Sequence, residues 1–349
     1  MLTLHRARPQ DADWMRMDAM TDRVVFQTRE WLEFVATTQR AEPMLAVVRD
    51  RGVDVGYFTG LIIKRFGVRI LGSPFPGWAT DYLGFNLAVG VNRRDAAEAL
   101  ITFAFGPLRT LHVELCDRYL RREDLEGSRY TSDCSHRTFV VDLTGDESDV
   151  FARMTSACRR AVRRGAKVGV QVEVARSLSF ADEYFEQLQG VFARQSLVPT
   201  YNAQLVRQLI RHLEGTGRLL LLRARDPAGR PIATGIFLAF NETAHFWGGA
   251  SIREQQILRP NEAIFWYAMR WARQKGCSAL DMGGGGEYKR RYGAHELWVP
   301  RFRCSRIMML SILRNAAEAV VDARQSVRGR RVSVVSKSTR SRGRPLNSR

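Results

Sequence analysis

Apolar residues alternate with polar ones, or run unbroken for a few positions, in "PMLAVVRD" (43–50), "DVGYFTGLII" (54–63) and "VRILGSP" (68–74). These patterns predict three strands, with turns at Arg51-Gly52 and Phe66-Gly67. A helical period follows over 93–105, then strands at 111–116 and 137–143. The second half repeats the grammar. Helices are predicted over 148–165, 180–195 and 201–217. Strands follow over 218–225, 231–240 and 243–250, joined by turns at "DPAGRP" and "NE". Asn261 is a plausible N-cap for a helix over 262–275, Gly276 is its stop, and a last strand is expected at 278–283. The strands at 243–250 and 278–283 flank a crossover helix and should be parallel. The chain is therefore expected to be α/β, with two similar domains in tandem, 1–145 and 146–305, each built on a mixed central sheet. A C-terminal helix is expected within 306–323, where "MMLSILRNAAEAVV" (308–321) has a broad apolar face. Residues 324–349 should be a disordered tail.

Charge changes the picture. The chain has 349 residues, with 54 Lys and Arg against 36 Asp and Glu, for a net charge of +18. From Arg324 to the end there are nine basic residues and no acid, so the body keeps about +9. That excess implies an anionic partner: nucleic acid, a phosphate-rich ligand or an anionic membrane surface. The five cysteines show no CxxC pattern and the six histidines no ligand spacing, so no structural metal and a reducing compartment are expected. The N-terminus lacks the apolar core of a signal peptide, and no apolar run is long enough for a bilayer. A cytoplasmic location is expected. The 308–321 helix and cationic tail offer peripheral contact with the inner face of a membrane.

Candidate chemistry concentrates in a few places. "GGGGEYKRRYG" (283–293) follows the last strand, where a hinge loaded with cations suits a loop closing over an anionic substrate. Lys289 is a compact charge suited to an oxyanion or phosphate. Tyr288 offers a hydroxyl, and Glu287 a carboxylate. Arg159, Arg160, Arg163, Arg164 and Lys167 cover one side of the 148–165 helix without an acid among them, a phosphate- or RNA-binding face as much as a solvated one. Asp81 and Tyr82 follow the rigid "PFPGWAT", where Asp81 could serve the acceptor amine or merely hold a turn. Trp31, Trp78 and Trp247 could line a pocket or pack the core. His295 is the one histidine placed for catalysis.

Several stretches together resemble the tandem-GNAT proteins that group the BioF2-like acetyltransferases with the Fem-type aminoacyl-tRNA-dependent ligases. These are "FQTREW" (26–31), "TDYLGF" (80–85), "SACRRAVRRGAKVGVQV" (156–172) and "RPNEAIFWYAMRWARQKGCSALDMGGGGEYKRRYG" (259–293). The resemblance implies two GNAT-like domains and acyl transfer to an amine of a peptide or cell-envelope precursor. In the Fem-type pattern a lysine at the position of Lys289 contacts the donor, and clustered arginines recur where Arg159–Arg164 stand. One departure bears on the co-substrate. A GNAT protein that uses acyl-CoA holds the pyrophosphate on a glycine-rich loop and a helix N-terminus. Here that connection, "SIREQQILRPNEA" (251–263), has no glycine, and Pro260 lacks an N–H. Arg253, Arg259 and Asn261 remain as possible phosphate contacts. No bound cofactor is expected, and aminoacyl-tRNA is favoured over acyl-CoA as co-substrate. An acetyl-CoA-dependent acetyltransferase and a non-catalytic RNA- or membrane-binding protein are the alternatives.

Overall fold

The computed structural model describes residues 1–306 apart from 66 and 196, and the side chains of these except 133 and 134. The helix expected at 308–321 and the tail lie outside the described residues. In chain order the strands are β1 (Leu2–Ala7), β2 (Glu42–Asp50), β3 (Val53–Arg65), β4 (Val68–Ser73), β5 (Gly84–Leu87), β6 (His112–Leu115), β7 (Thr131–Asp142), β8 (Gln171–Val174), β9 (Leu219–Arg225), β10 (Pro231–Phe240), β11 (Thr243–Ser251), β12 (Ala279–Asp281) and β13 (His295–Ser305). The helices are α1 (Trp14–Asp18), α2 (Arg29–Gln39), α3 (Arg93–Phe105), α4 (Glu147–Arg153), α5 (Ser156–Lys167), α6 (Phe180–Arg194), α7 (Ala203–Leu213) and α8 (Pro260–Gln274).

The expected grammar is present twice. In the first half β2, β3 and β4 form an antiparallel meander, α3 crosses over, and β6 returns parallel to β4. In the second, β9, β10 and β11 form the meander, α8 crosses over, and β12 returns parallel to β11. β10 is buried along nearly all its length because both faces are covered, which is why it reads as one apolar run. Local chemistry sets the helix ends. Asn92 caps α3 by accepting from Arg94 N at 2.8 Å. The single helix expected over 148–165 is instead two, because Thr155 is extended and its hydroxyl caps α5. Along α5, Cys158, Ala161, Val162 and Gly165 face inward and the arginines outward.

One expectation is corrected. The halves do not keep separate sheets. All thirteen strands join in one, ordered β1-β2-β3-β4-β6-β13-β7-β12-β11-β10-β9-β8, with β5 paired to β3. β13, from the end of the second half, pairs with β6, and β7, from the first half, pairs with β12. β7 and β13 also pair with each other, so each half completes the sheet of the other. β13 was not expected as a strand, and Pro300 within it explains why. Pro300 is tolerated because pairing to β6 begins only at Phe302. No helix among the described residues is long and apolar enough to cross a membrane.

Candidate functional site

The parallel pairing of β11 and β12 stops at His245 opposite Asp281. Beyond it β11 has no partner on the β12 side, and its pairing to β10 slips so that Trp247 is an extra, bulged residue between Phe246 and Gly248. Two strands that part in this way leave backbone groups of β11 facing an opening, a suitable place for a carbonyl oxygen to be held. A cavity of about 470 Å³ lies here, lined among others by Phe246, Phe265, Tyr288, Arg291, Arg194 and Arg253.

Asp281, at the last pair before the strands part, is the hub of a buried polar cluster and is not itself among the cavity-lining residues. It is buried, accepts from Tyr82 Oη at 2.9 Å and Gly283 N at 2.9 Å, and is also bonded by Thr138 Oγ1. Arg118 Nη1 stands 3.8 Å away. Burial alone would raise its pKa, but neighbouring His245 and Arg118 and these hydrogen bonds hold it below the usual carboxylate range. His245 is fully enclosed against Phe26 (ring centroids 4.6 Å), and burial pushes its pKa down to about 4. It is therefore neutral at physiological pH.

Asp81 comes in from the first half on the loop after β4. Trp247 Nε1 donates to Ala79 O at 3.1 Å, and Trp31 Nε1 to Thr80 Oγ1 at 3.1 Å, which pins this loop over the bulge. Asp81 Oδ1 is 3.5 Å from His136 Nε2, and each side chain is about a quarter exposed. Desolvation raises the Asp81 carboxyl, the charge of Asp281 adds to this, and His136 and Lys289 oppose it. The Tyr82 ring meets His136 edge-on at 5.6 Å.

In this conformation the glycine loop lies close against β7. Gly283, Gly285 and Gly286 have φ of about 70–76°, and an added Cβ at Gly284 would lie 2.9 Å from Arg137 O. Glu287–Tyr292 then forms a 3₁₀ turn. Lys289, expected on the surface, is 4% exposed. Its Nζ donates to Met282 O (2.7 Å), Gly283 O (3.0 Å) and Gly284 O (2.6 Å). All three protons are thus engaged, and none is left for an oxyanion in this conformation. Burial lowers its pKa to about 8, against the pull of Asp281 and Asp81. Glu287 is exposed and bonded by Arg137 and by Arg290 (2.8 Å), whose hydrogen bonds lower its pKa and leave it a poor base.

The other expected residues are placed as follows. Tyr288 lines the cavity and is about half exposed. Trp31 and Tyr82 are buried, so they support the site rather than touch ligand. Arg159 donates to Ala152 O (2.9 Å) and to Met154 O (2.5 Å), closing the end of α4. Arg163 stacks on Phe151 at 5.2 Å. Arg160, Arg164 and Lys167 are exposed on the outer face of α5, away from the cavity lining. Asn261 is not the N-cap: Arg259, left-handed at φ 67°, is, and Asn261 sits inside α8 with Nδ2 3.2 Å from Ser251 Oγ. His295 is exposed at the start of β13, opposite Val140, and not among the cavity-lining residues. Sequence reasoning missed Asp281, His136 and Arg118. An acid inside the apolar "ALDM" is the signal that could have found Asp281.

Residues 152–292 match the family model described as the acetyltransferase (GNAT) domain. No curated protein matches. Among solved structures, one described as FemX aligns over 89% of this chain and 99% of its own, at 13% identity and TM-score 0.72. The C-terminal domain of a putative lysylphosphatidylglycerol synthetase from Agrobacterium fabrum aligns over 89% and 95%, at 13% identity and 0.52. A tandem GNAT protein from the clavulanic acid biosynthesis pathway aligns over 87% and 98%, at 12% identity and 0.50. The chain has the tandem GNAT fold, in agreement with the Fem-like resemblance of its motifs. Fold and domain match together support an acyltransferase of the GNAT superfamily.

Proposed function

We propose that the protein transfers an aminoacyl group from aminoacyl-tRNA to an amine of a peptide or cell-envelope precursor. One observation carries the acyl-transfer reading: Asp81 and His136, from the first half, lie beside the point where β11 and β12 part in the second. The acceptor nitrogen attacks the ester carbonyl. Its C–N bond forms, the ester C–O bond breaks, one proton passes from nitrogen toward Asp81 and His136, and a proton returns to the leaving hydroxyl. The raised Asp81 carboxyl is the better base, and Glu287 is set aside. The bulged backbone at Trp247 is the natural partner of the carbonyl oxygen, and Lys289 holds the loop beside it.

The choice of donor is supported by what fills the N-terminus of α8. Glu262, in its first turn, is buried and paired with Arg291 at 3.0 Å and Arg259 at 3.8 Å. A carboxylate already occupies the positive end of the helix, where a pyrophosphate would otherwise bind. α5 closes this region from outside, so that a Cβ at Gly165 would come 3.3 Å from Arg259 O. The outer face of α5 then offers Arg160, Arg164 and Lys167 to an RNA backbone. The test compares acyl transfer from aminoacyl-tRNA with that from acetyl-CoA to an amine-bearing peptide precursor, in the wild type and in Arg160→Gln/Arg164→Gln/Lys167→Gln. The cationic tail is common to both proteins and cancels. Turnover with aminoacyl-tRNA alone, weakened at least tenfold in the variant, is expected. Turnover with acetyl-CoA and none with aminoacyl-tRNA would replace this donor with a CoA ester.

A further inference from the structure

A second cleft, of about 520 Å³, opens between the loop after β6 and strands β7 and β13, and it is separate from the lining of the cavity described above. Its loop is rigidly held. Asp117 is fully buried and accepts from Phe85 N (2.8 Å), Tyr119 N (2.9 Å) and Arg93 Nη1 (2.9 Å). Arg121 N donates to Asp124 at 2.7 Å, fixing the next turn. The loop presents Arg118, Tyr119, Arg121 and Arg122 to the cleft, and β13 presents Trp298. The single acid in the lining, Glu123, lies 4.0 Å from Arg121, so positive charge is in excess.

Two features distinguish this cleft from an ordinary basic surface. Trp298 is 58% and Tyr119 44% exposed, although both are large aromatics. Each has a guanidinium near its ring, Arg137 at 5.7 Å for Trp298 and Arg93 at 4.8 Å for Tyr119, which restrains the ring's orientation. Arg118 forms the inner end. Its Nη1 is 3.8 Å from Asp281 and its Cζ 5.8 Å from the Tyr82 ring, so the cleft abuts the buried hub of the candidate site.

We infer that this cleft binds a flat ring carrying an anionic group, a phosphate or a carboxylate, with the anion on Arg121 and Arg122 and the ring on Tyr119 and Trp298. Calling that ligand part of the acceptor rests on the proposed acyl transfer, but the binding itself does not. The two are therefore tested apart. Tryptophan fluorescence of the full chain is followed during titration with phenyl phosphate, benzoate, inorganic phosphate and benzyl alcohol. At least one of the first two should quench saturably, with a Kd at least tenfold below those of the last two. Preference for phenyl phosphate or for benzoate identifies the anion. Arg121→Gln/Arg122→Gln should weaken that binding at least tenfold without moving the thermal transition, since both side chains are exposed. Trp298→Phe should remove most of the quenching, while calorimetry still records the heat of binding. Equal affinity for all four probes, or binding unchanged in the double variant, would overturn the inference whatever the acyl-transfer assays show.

Discussion

Lys289→Met is the most informative single change, because it separates a lysine that acts on substrate from one that holds a loop. Methionine keeps most of the stem and removes the ammonium. The wild-type Nζ gives three hydrogen bonds to backbone carbonyls. Charge-assisted bonds of this kind contribute about 1.5–3 kcal/mol each, so the gross loss is roughly 5–9 kcal/mol. Against this, burial lowers the pKa from 10.5 to about 8, and relief from that desolvation returns about 3 kcal/mol at neutral pH. Water can reach the exposed Gly284 and the half-buried Gly283, and replaces part of what they lose. A net destabilisation of about 3 kcal/mol follows, which lowers Tm by roughly 5–10 °C.

Calorimetry reads the stability, and limited proteolysis after the loop cations reads the local order. We expect a lowered Tm, faster cleavage at Arg290 and Arg291, and loss of most acyl transfer. Unchanged Tm with a hundredfold loss of turnover would refute the reasoning and return Lys289 to the substrate. Unchanged Tm with full activity would mean that the carbonyl cage contributes nothing to the loop.

Asp81→Asn should cost about a hundredfold or more in turnover with little change in Tm, as expected for a partly exposed general base. Because the Asp81 carboxyl is raised, the acid limb of the wild-type pH–rate profile should lie above the ordinary carboxylate range, and it should vanish in the variant. Asp281 is depressed in the folded state, so its contribution to stability is present above the usual carboxylate pKa and is lost as pH falls through the lower folded value; denaturant titrations of Asp281→Asn should show that window flattened. His245 is held near 4 against 6.5 unfolded, so stability should fall by about 3 kcal/mol as pH drops between those values. His245→Asn should lack that drop.

Strong local periodicity made the meanders and crossovers legible. β2–β4, α3, β9–β11 and α8 were all expected in the right order, and 93–105 at its true ends. What was hidden is non-local. "HELWVPRFRCS" contains Pro300 and two arginines, and nothing within it says that it lies between β6 and β7. Asp81 and His136 are far apart in sequence, and their meeting depends on that exchange. Lys289 looked solvated because its neighbours Glu287, Tyr288, Arg290 and Arg291 are exposed or polar. Its burial depends on carbonyls of Met282, Gly283 and Gly284 turning inward, a property of backbone dihedrals that residue type does not reveal.

The strand exchange also explains why a charged Asp281 can be kept at the centre of the molecule. Its donors Tyr82 and Thr138, and the nearby Arg118, all come from the first half, while the second supplies the donor Gly283 N and, as neighbours, His245 and the charge of Lys289. A second half standing alone would leave a buried carboxylate with one hydrogen-bond donor from this set, a cost of several kcal/mol. Thr138 reaches Asp281 because β7 has taken the place beside β12, with Leu280 opposite Val141 and Asp281 opposite Val140. The same register sets His136 further along β7, on the same face as Thr138, where the loop bearing Asp81 passes. The swap that lets the sheet run unbroken through both halves is thus also what brings Asp81 and His136 from one half to the parted strands of the other. The two halves contain like crossovers. The exchanged strands make them unequal, with the candidate site at β11 and β12 and, at β4 and β6, the loop that carries Arg118.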